Sequence, residues 1–340
     1  SYVLFAKSYG GYQDLHSFPT RRSSDLVFQD GSFDNTFNVG SGANSRIYAV
    51  ALKTNGSIVI VGDFTTYNGT SRSRIAQITP TGSLDATFNP GSGANRTIYT
   101  LAVQSDGKIL IGGNFTRYNG VSYNRVLRLN STGSVDATFS IGNGANGIVN
   151  DLKIQPDGKV MIAGQFTSYR STTRNRIARI NSNGTVDTNF SPSSGANNTI
   201  NTVALQADGK YIIGGSFTTF NRTSRNRIAR INSTGTLDTG FNPGIGANNT
   251  VKSLLILSDG KIVIGGNFTT VNGTSRVRVA RLNPTGSLDS GFNPTNGSNN
   301  SVNSLSLVNS KIVIAGLFTQ YNGVNRSEER RVGKECRSRW

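Results

Sequence analysis

The chain has 340 residues, 35 lysines and arginines against 18 acidic residues, a formal net charge of +17, and 35% hydrophobic residues. One histidine, one cysteine and one tryptophan exclude a disulfide framework and thiolate metal centres, and leave little for imidazole acid–base chemistry. No run approaches the ~18 consecutive apolar residues of a membrane helix.

In chain order, residues 1–13 match nothing that follows and receive no assignment. Asp14–Leu26 back-translates to the reverse complement of a common sequencing-library adapter, and Arg326–Trp340 to its other strand. Both are expected to be artefacts of assembly with no part in the fold. Setting them aside removes His16, Cys336, Trp340, Glu328, Glu329 and Glu335. The stretch Val27–Asn325 then has no His, Cys, Trp or Glu, and carries +13 from 18 arginines, 8 lysines and 13 aspartates. The only methionine is Met161. The true N-terminus is therefore expected to be missing, and the lack of a visible signal peptide is uninformative.

Within 27–325 three anchors recur in phase. Gly-x-Phe-Thr has its Phe at 64, 115, 166, 217, 268 and 318; Asp-x-x-Phe begins at Asp34, Asp85, Asp136, Asp187, Asp238 and Asp289; Gly-Ala-Asn begins at Gly42, Gly93, Gly144, Gly195 and Gly246, with Gly297-Ser298-Asn299 as the sixth copy. The spacing is 51 residues, with 50 in one interval. Six in-phase copies mean a repeat architecture.

One copy, Thr97–Phe139, reads as four short strands. Ile98–Val103 alternates with period two. Asp106-Gly107 predicts a tight hairpin turn with positive φ at both central residues. The apolar run from Lys108 to Phe115 predicts a second strand buried on both faces, Tyr118-Asn119-Gly120 opens a loop, and Asn124–Asn130 is the third strand. Ser134–Phe139 is the fourth. In the last copy the turn is Asn309-Ser310, one residue shorter. Solenoid coils need about 20–30 residues per turn and four-stranded blades about 40–50, so the fold class is all-β and the reading is a propeller of six blades. The Gly-Gly pairs, such as Gly112-Gly113 and Gly214-Gly215, mark close backbone approach between blades. A third strand is missing after Asn325. The closing blade is therefore expected to be incomplete, with Phe33–Phe37 pairing onto the last repeat, or the array to be an open piece of a larger propeller.

The consensus Asp-Gly-Lys-Ile-x-Ile-Gly-Gly-x-Phe-Thr, clearest at Asp259–Thr269, continues through Arg278-Val279-Ala280-Arg281-Leu282-Asn283 to Asp289 and Phe292. It resembles the delta-60 β-propeller repeat of bacterial proteins. The resemblance covers all six repeats. It implies a secreted or surface protein, carries no catalytic residues, and is specific for the repeat rather than for an activity.

Enzymatic chemistry fits poorly. The aspartates recur at equivalent places, whereas catalysis needs one asymmetric constellation, so no catalytic residue, cofactor or metal is assigned. Calcium needs about 6–8 oxygens with several carboxylates close together, and each Asp-x-x-Phe aspartate stands alone in its repeat. These aspartates are expected to bond local backbone or to pair with the arginine of the preceding strand, as Arg230 with Asp238. The Asn-x-Ser/Thr triplets at Asn68, Asn114 and Asn267 follow from composition.

The loops after the second strand carry Arg72, Arg74, Arg125, Arg174, Arg176, Arg225, Arg227, Arg276 and Arg278. If these point outward from one face, they form a ring that would attract an anionic polymer such as acidic polysaccharide, teichoic acid or DNA. The bland alternative is that they pair with aspartates or carbonyls between blades. The aromatics that would stack bases, Tyr67, Tyr118, Tyr169 and Phe220, recur and read as blade packing. Sequence alone thus leaves three readings: a non-catalytic, extracellular, monomeric binding or scaffold propeller, an anionic-polymer binder, or an accessory module of an enzyme whose catalytic domain lies elsewhere.

Overall fold

The computed structural model describes residues 36–325 and the two-residue strands Tyr2–Val3 and Val27–Phe28, which pair antiparallel. The two adapter-like segments and residues 33–35 of the expected closing strand lie outside the described residues. Phe37, at the end of that strand, packs in the core of the first sheet.

Each repeat is an antiparallel sheet. In the third it comprises Val149–Ile154, Val160–Gly164 and Ile177–Ile180, in that order across the sheet. The first strands of consecutive sheets lie side by side, which makes them the inner strands of a blade array. Five sheets have three strands, and the sixth has two, Val302–Val308 and Lys311–Gly316. No pairing joins the last sheet to the first among the described residues.

In the first five repeats the expected fourth strand shrinks to one bridge, for example Ile180↔Val186. The reason is local: Oδ1 of Asp187 accepts the backbone N–H of Asn189 at 3.0 Å, an Asx turn that bends the chain off the ladder. The Asp-Gly turns also differ from expectation. Only the glycine has positive φ, +80° at Gly107, so these are three-residue loops rather than two-residue ones. The shortened turn does take the tight form, with φ +47° at Asn309 and +62° at Ser310. The predicted loop at Tyr118 is itself a small hairpin, Arg117–Tyr118 with Val121–Ser122, turned by Asn119 and Gly120 at φ +50° and +76°.

The middle strands are apolar throughout because their two faces serve different cores. Val160 and Ile162 face a cluster shared with Leu110 and Val126 of the preceding blade, while Met161 and Ala163 face one shared with Ile200 and Tyr211 of the next. Glycine at the end of this strand is a steric requirement: a Cβ on Gly164 would lie 2.0 Å from the carbonyl oxygen of Ile148. The preceding glycine of the Gly-Gly pairs meets the next blade, 2.6 Å from Val251 Cγ1 at Gly214.

Candidate functional site

At the turn end of each sheet the Asp-x-x-Phe aspartate organises a network. Asp187 Oδ2 lies 2.6 Å from Arg179 Nε and 3.2 Å from Lys159 Nζ. Asp136 repeats this with Arg128 at 2.7 Å and Lys108 at 3.1 Å, and Arg230 pairs with Asp238 at 2.7 Å as the sequence suggests. The same arginines lie over the phenylalanine that follows, with Arg128 4.6 Å from the Phe139 centroid. They also reach the next blade: Arg128 donates to Ser182 O at 2.7 Å, Arg179 to Ser233 O at 2.6 Å and Arg230 to Pro284 O at 2.8 Å. Among the described residues no three His, Cys, Asp or Glu side chains converge on a metal position.

These bonds set the carboxylate acidities. Burial pushes Asp136, Asp187 and Asp238 upward, but hydrogen bonds, led at Asp136 by the Thr138 hydroxyl, at Asp187 by Arg179 and at Asp238 by Lys210, outweigh it and hold all three below the usual range. The Lys261 hydrogen bond leads in drawing Asp289 down to about 2. A depressed folded-state pKa contributes stability that is complete above the unfolded value near 4 and is lost as pH falls through the folded value. The thermal midpoint is therefore expected to be level from about pH 7 to 5 and to fall steadily between about pH 4 and 2. A midpoint unchanged at pH 2 would refute this coupling.

The nine arginines singled out in the sequence sit in the hairpin between middle and outer strands. Near its tip, Tyr169 donates its hydroxyl to Gly184 O at 2.8 Å, in the turn at the other end of the sheet. Arg170 at the tip donates to Ser140 O, whose own N–H donates to Asn183 O in the same turn. The hairpin tip thus folds back along the blade, while the recurrent arginines stay on its return limb, where the N–H groups of Arg174 and Arg176 donate to Thr167 O and Phe166 O, and form a band at equivalent places in the blades.

The side chains are held rather than dangling. Arg74, Arg176, Arg227 and Arg278 adopt φ near +70° and each donates to a carbonyl eleven residues earlier, those of Asp63, Gln165, Ser216 and Asn267. Arg125 has the same backbone twist, and burial together with Arg96 lowers its pKa. Arg72, Arg174, Arg225 and Arg276 donate to the carbonyl of the preceding residue at 2.7–2.9 Å. Eight of the nine thus bond backbone carbonyls within their own blade, not between blades. None of the nine is in an ion pair among the described residues, and the Nε of every one is buried without a hydrogen-bond partner.

The Gly-Ala-Asn anchor fixes this band. Asn146 Oδ1 accepts the N–H groups of Thr167 and Ser168 at 2.8 and 2.9 Å, tying the hairpin to the segment that leads into the inner strand. Between the fourth and fifth repeats, Asn226, Arg227, Ile245–Asn248 and Thr270 line an open cleft of about 290 Å³. Sequence reading missed the cations that join the band without recurring: Arg46, Arg96, Arg117, Arg170 and Arg222. Fourteen of the eighteen described arginines lie in the hairpins or the segments before the inner strands, where Asp63 is the one acidic residue. Tyr67, Tyr118, Tyr169 and Phe220 are fully buried, as the packing reading expects.

A second row of positions, on the inner strands, is asymmetric. Every inner strand has a register shift at its second residue: Tyr48, Tyr99, Asn150, Asn201, Lys252 and Asn303. Tyr48 and Tyr99 meet edge to face at 5.2 Å, and Asn150 donates to Ile200 O at 3.0 Å. Burial pushes the Tyr48 phenol up to about 12, and its hydroxyl donates to Asp63 at 2.9 Å. This row stitches neighbouring blades together.

No curated protein matches the chain by sequence. Among solved structures it is similar to the WD40 β-propeller domain of Doa1, with TM-score 0.55 and 18% identity over 92% of this chain and 93% of that one. It is also similar to the extracellular domain of the putative one component system BT4673 from B. thetaiotaomicron, with TM-score 0.51, 16% identity, and coverage of 89% and 36%. A third is PorZ, a surface component of the type-IX secretion system of Porphyromonas gingivalis, with TM-score 0.54, 15% identity, and coverage of 86% and 41%. This chain spans well under half of the last two. At such identities these likenesses show the propeller fold alone. Among the described residues no helix is long and apolar enough to cross a membrane. The family model for "Domain of unknown function (DUF5122) beta-propeller" matches residues 53–88, 104–139, 155–190, 206–241, 257–292 and 309–328, more than half of the chain, in phase with the repeats. The chain therefore belongs to the DUF5122 β-propeller family, the all-β repeat fold that the delta-60 resemblance implies.

Proposed function

We propose that the array is a non-catalytic, extracellular binding propeller that holds an acidic polysaccharide along its band of hairpin arginines. One observation carries this reading. Cations and carboxylates are matched at the turn end of the sheets, while among the described residues the hairpin band concentrates fourteen arginines against Asp63 and leaves the nine recurrent ones without a carboxylate partner. Uncompensated charge of one sign, repeated at every blade, attracts a polymer of the other sign. Full burial of the recurrent aromatics removes the stacking platforms that single-stranded nucleic acid uses, which favours a saccharide. An extracellular setting is supported by the extracellular and surface descriptions of two similar structures.

The test is retention on immobilised heparin. The chain is expected to bind and to elute with salt. Replacing Arg225 and Arg227 by glutamine should reduce the slope of log affinity against log salt by about two, one per lost contact. Single-stranded DNA of equal charge should bind more weakly. Elution of the unaltered chain at physiological salt, or an unchanged slope in the double variant, would refute the proposal.

A further inference from the structure

The inner-strand row holds one charge. Tyr48, Tyr99, Asn150, Asn201 and Asn303 are neutral, and Lys252, in the fifth repeat, is the exception. A joint between blades needs no charge at this position: the Asn150 amide donates to Ile200 O and the Asn201 amide to Val251 O, each at 3.0 Å. Lys252 makes a different bond. Its Nζ donates to Ser301 Oγ at 2.7 Å and to Asn303 Oδ1 at 2.9 Å, buried side chains of the next blade. An ammonium has three N–H donors, and these two acceptors leave one.

Its charged neighbour is another cation. Arg278, one of the nine recurrent arginines, is half-buried and donates Nη1 to Asn267 O. The N–H of Asn267 donates to Thr250 O at 2.9 Å, two residues before Lys252, so the guanidinium lies beside the start of the inner strand. Burial, and then Arg278, lower the Lys252 pKa. Among the described residues neither cation has a carboxylate partner, and Arg278 makes no bond from Nη2. Two partly desolvated like charges with no counter-ion oppose folding unless an anion joins them. Asparagine, which holds the equivalent place in three repeats, would make the joint without that cost. The lysine therefore needs a reason beyond the joint.

From this geometry we infer that Lys252 and Arg278 form a carboxylate-binding site where the arginine band meets the inner strands. One carboxylate oxygen accepts the remaining N–H of Lys252, and the other accepts from Nη2 of Arg278. Two donating groups match the two oxygens of a planar carboxylate, whereas a sulfate or phosphate monoester presents three. That the carboxylate belongs to a uronate of the bound polymer rests on the polysaccharide reading; the site itself does not. The site holds one sugar at a fixed place, the fifth blade, while the recurrent arginines hold the rest of the polymer without choosing a position.

The experiment uses the full 340-residue chain with D-glucuronate, against D-glucose at equal concentration and sodium chloride at equal ionic strength. Lysines are acetylated with a limiting N-hydroxysuccinimide ester and read one by one by peptide mass spectrometry. Glucuronate at ten times its dissociation constant is expected to protect Lys252 about tenfold. Lys108, Lys159, Lys210 and Lys261, which already lie against aspartates, should react as before. Glucuronate should also raise the thermal midpoint of the chain but not that of Lys252→Asn, and this second comparison decides if Lys252 acetylates too slowly to read. Equal protection by glucose or chloride, or an equal midpoint rise in both chains, would overturn the inference. A chain that elutes early from heparin yet shows the Lys252-dependent glucuronate effect keeps this site and loses the polysaccharide reading. One that holds heparin without that effect keeps the band and loses the site.

Discussion

Truncating Phe166 to alanine is expected to destabilise the chain by about 4 kcal/mol, as emptying a fully enclosed aromatic site does. Phe166 is completely buried in the cluster that joins the second and third blades. Its carbonyl also accepts the N–H of Arg176 at 2.8 Å, so the ring anchors the start of the arginine hairpin. The equivalent Phe318, 6% exposed beside the partly covered sixth sheet, should cost about half as much, because its surroundings can collapse or admit water. Urea unfolding of the two variants, followed by tyrosine fluorescence and by hydrogen exchange of the hairpin amides, makes the comparison. Equal losses would mean that the sixth sheet is packed as tightly as the third.

A comparable loss, about 3–5 kcal/mol, is expected for Asp187→Ala. The side chains of Asp187 and Arg179 are only 4% and 8% exposed, so removing the carboxylate strands a buried guanidinium. The geometry also predicts how the loss can be recovered. Replacing both partners, Asp187→Leu with Arg179→Met, removes the stranded charge and should restore much of the stability, although Arg179 then no longer donates to Ser233 O. If the double replacement is as unstable as the single one, the bond to the next blade outweighs the ion pair. If Asp187→Ala is harmless, the network contributes nothing.

The repeats, the three strands of the first five copies and the structural duty of the aspartates were all legible in the sequence, because each leaves a periodic mark. Ile98–Val103 was delimited to the residue by its alternation. What was not legible depends on backbone twist and long-range return. The fourth strand fails because Asp136 caps Thr138 rather than extending a ladder, which an apolar–polar pattern does not encode. The hairpin's return limb holds residues such as Arg176 at positive φ, a conformation that arginine seldom signals. The non-recurring arginines, Arg46, Arg96, Arg117, Arg170 and Arg222, were passed over because attention to the repeat discounts whatever does not repeat. Charge counted by segment would have found them.

The bonds from one blade to the next have fixed reach. Arg128 reaches Ser182 across 54 positions, Asn150 reaches Ile200 across 50, and Val203 donates to Asp151 across 52. Each is about one repeat long, so none depends on how many repeats there are. Insertion or excision of one whole 51-residue unit would keep this spacing, and the joints made by recurring residues such as Arg128, Arg179 and Arg230 would re-form at the new seam. A cut of any other size would break several at once. The size of such an array can therefore drift in whole units under duplication as far as these recurring joints are concerned, whereas the non-recurring contacts of the inner strands, such as that of Asp151 with Val203, tie particular neighbours together.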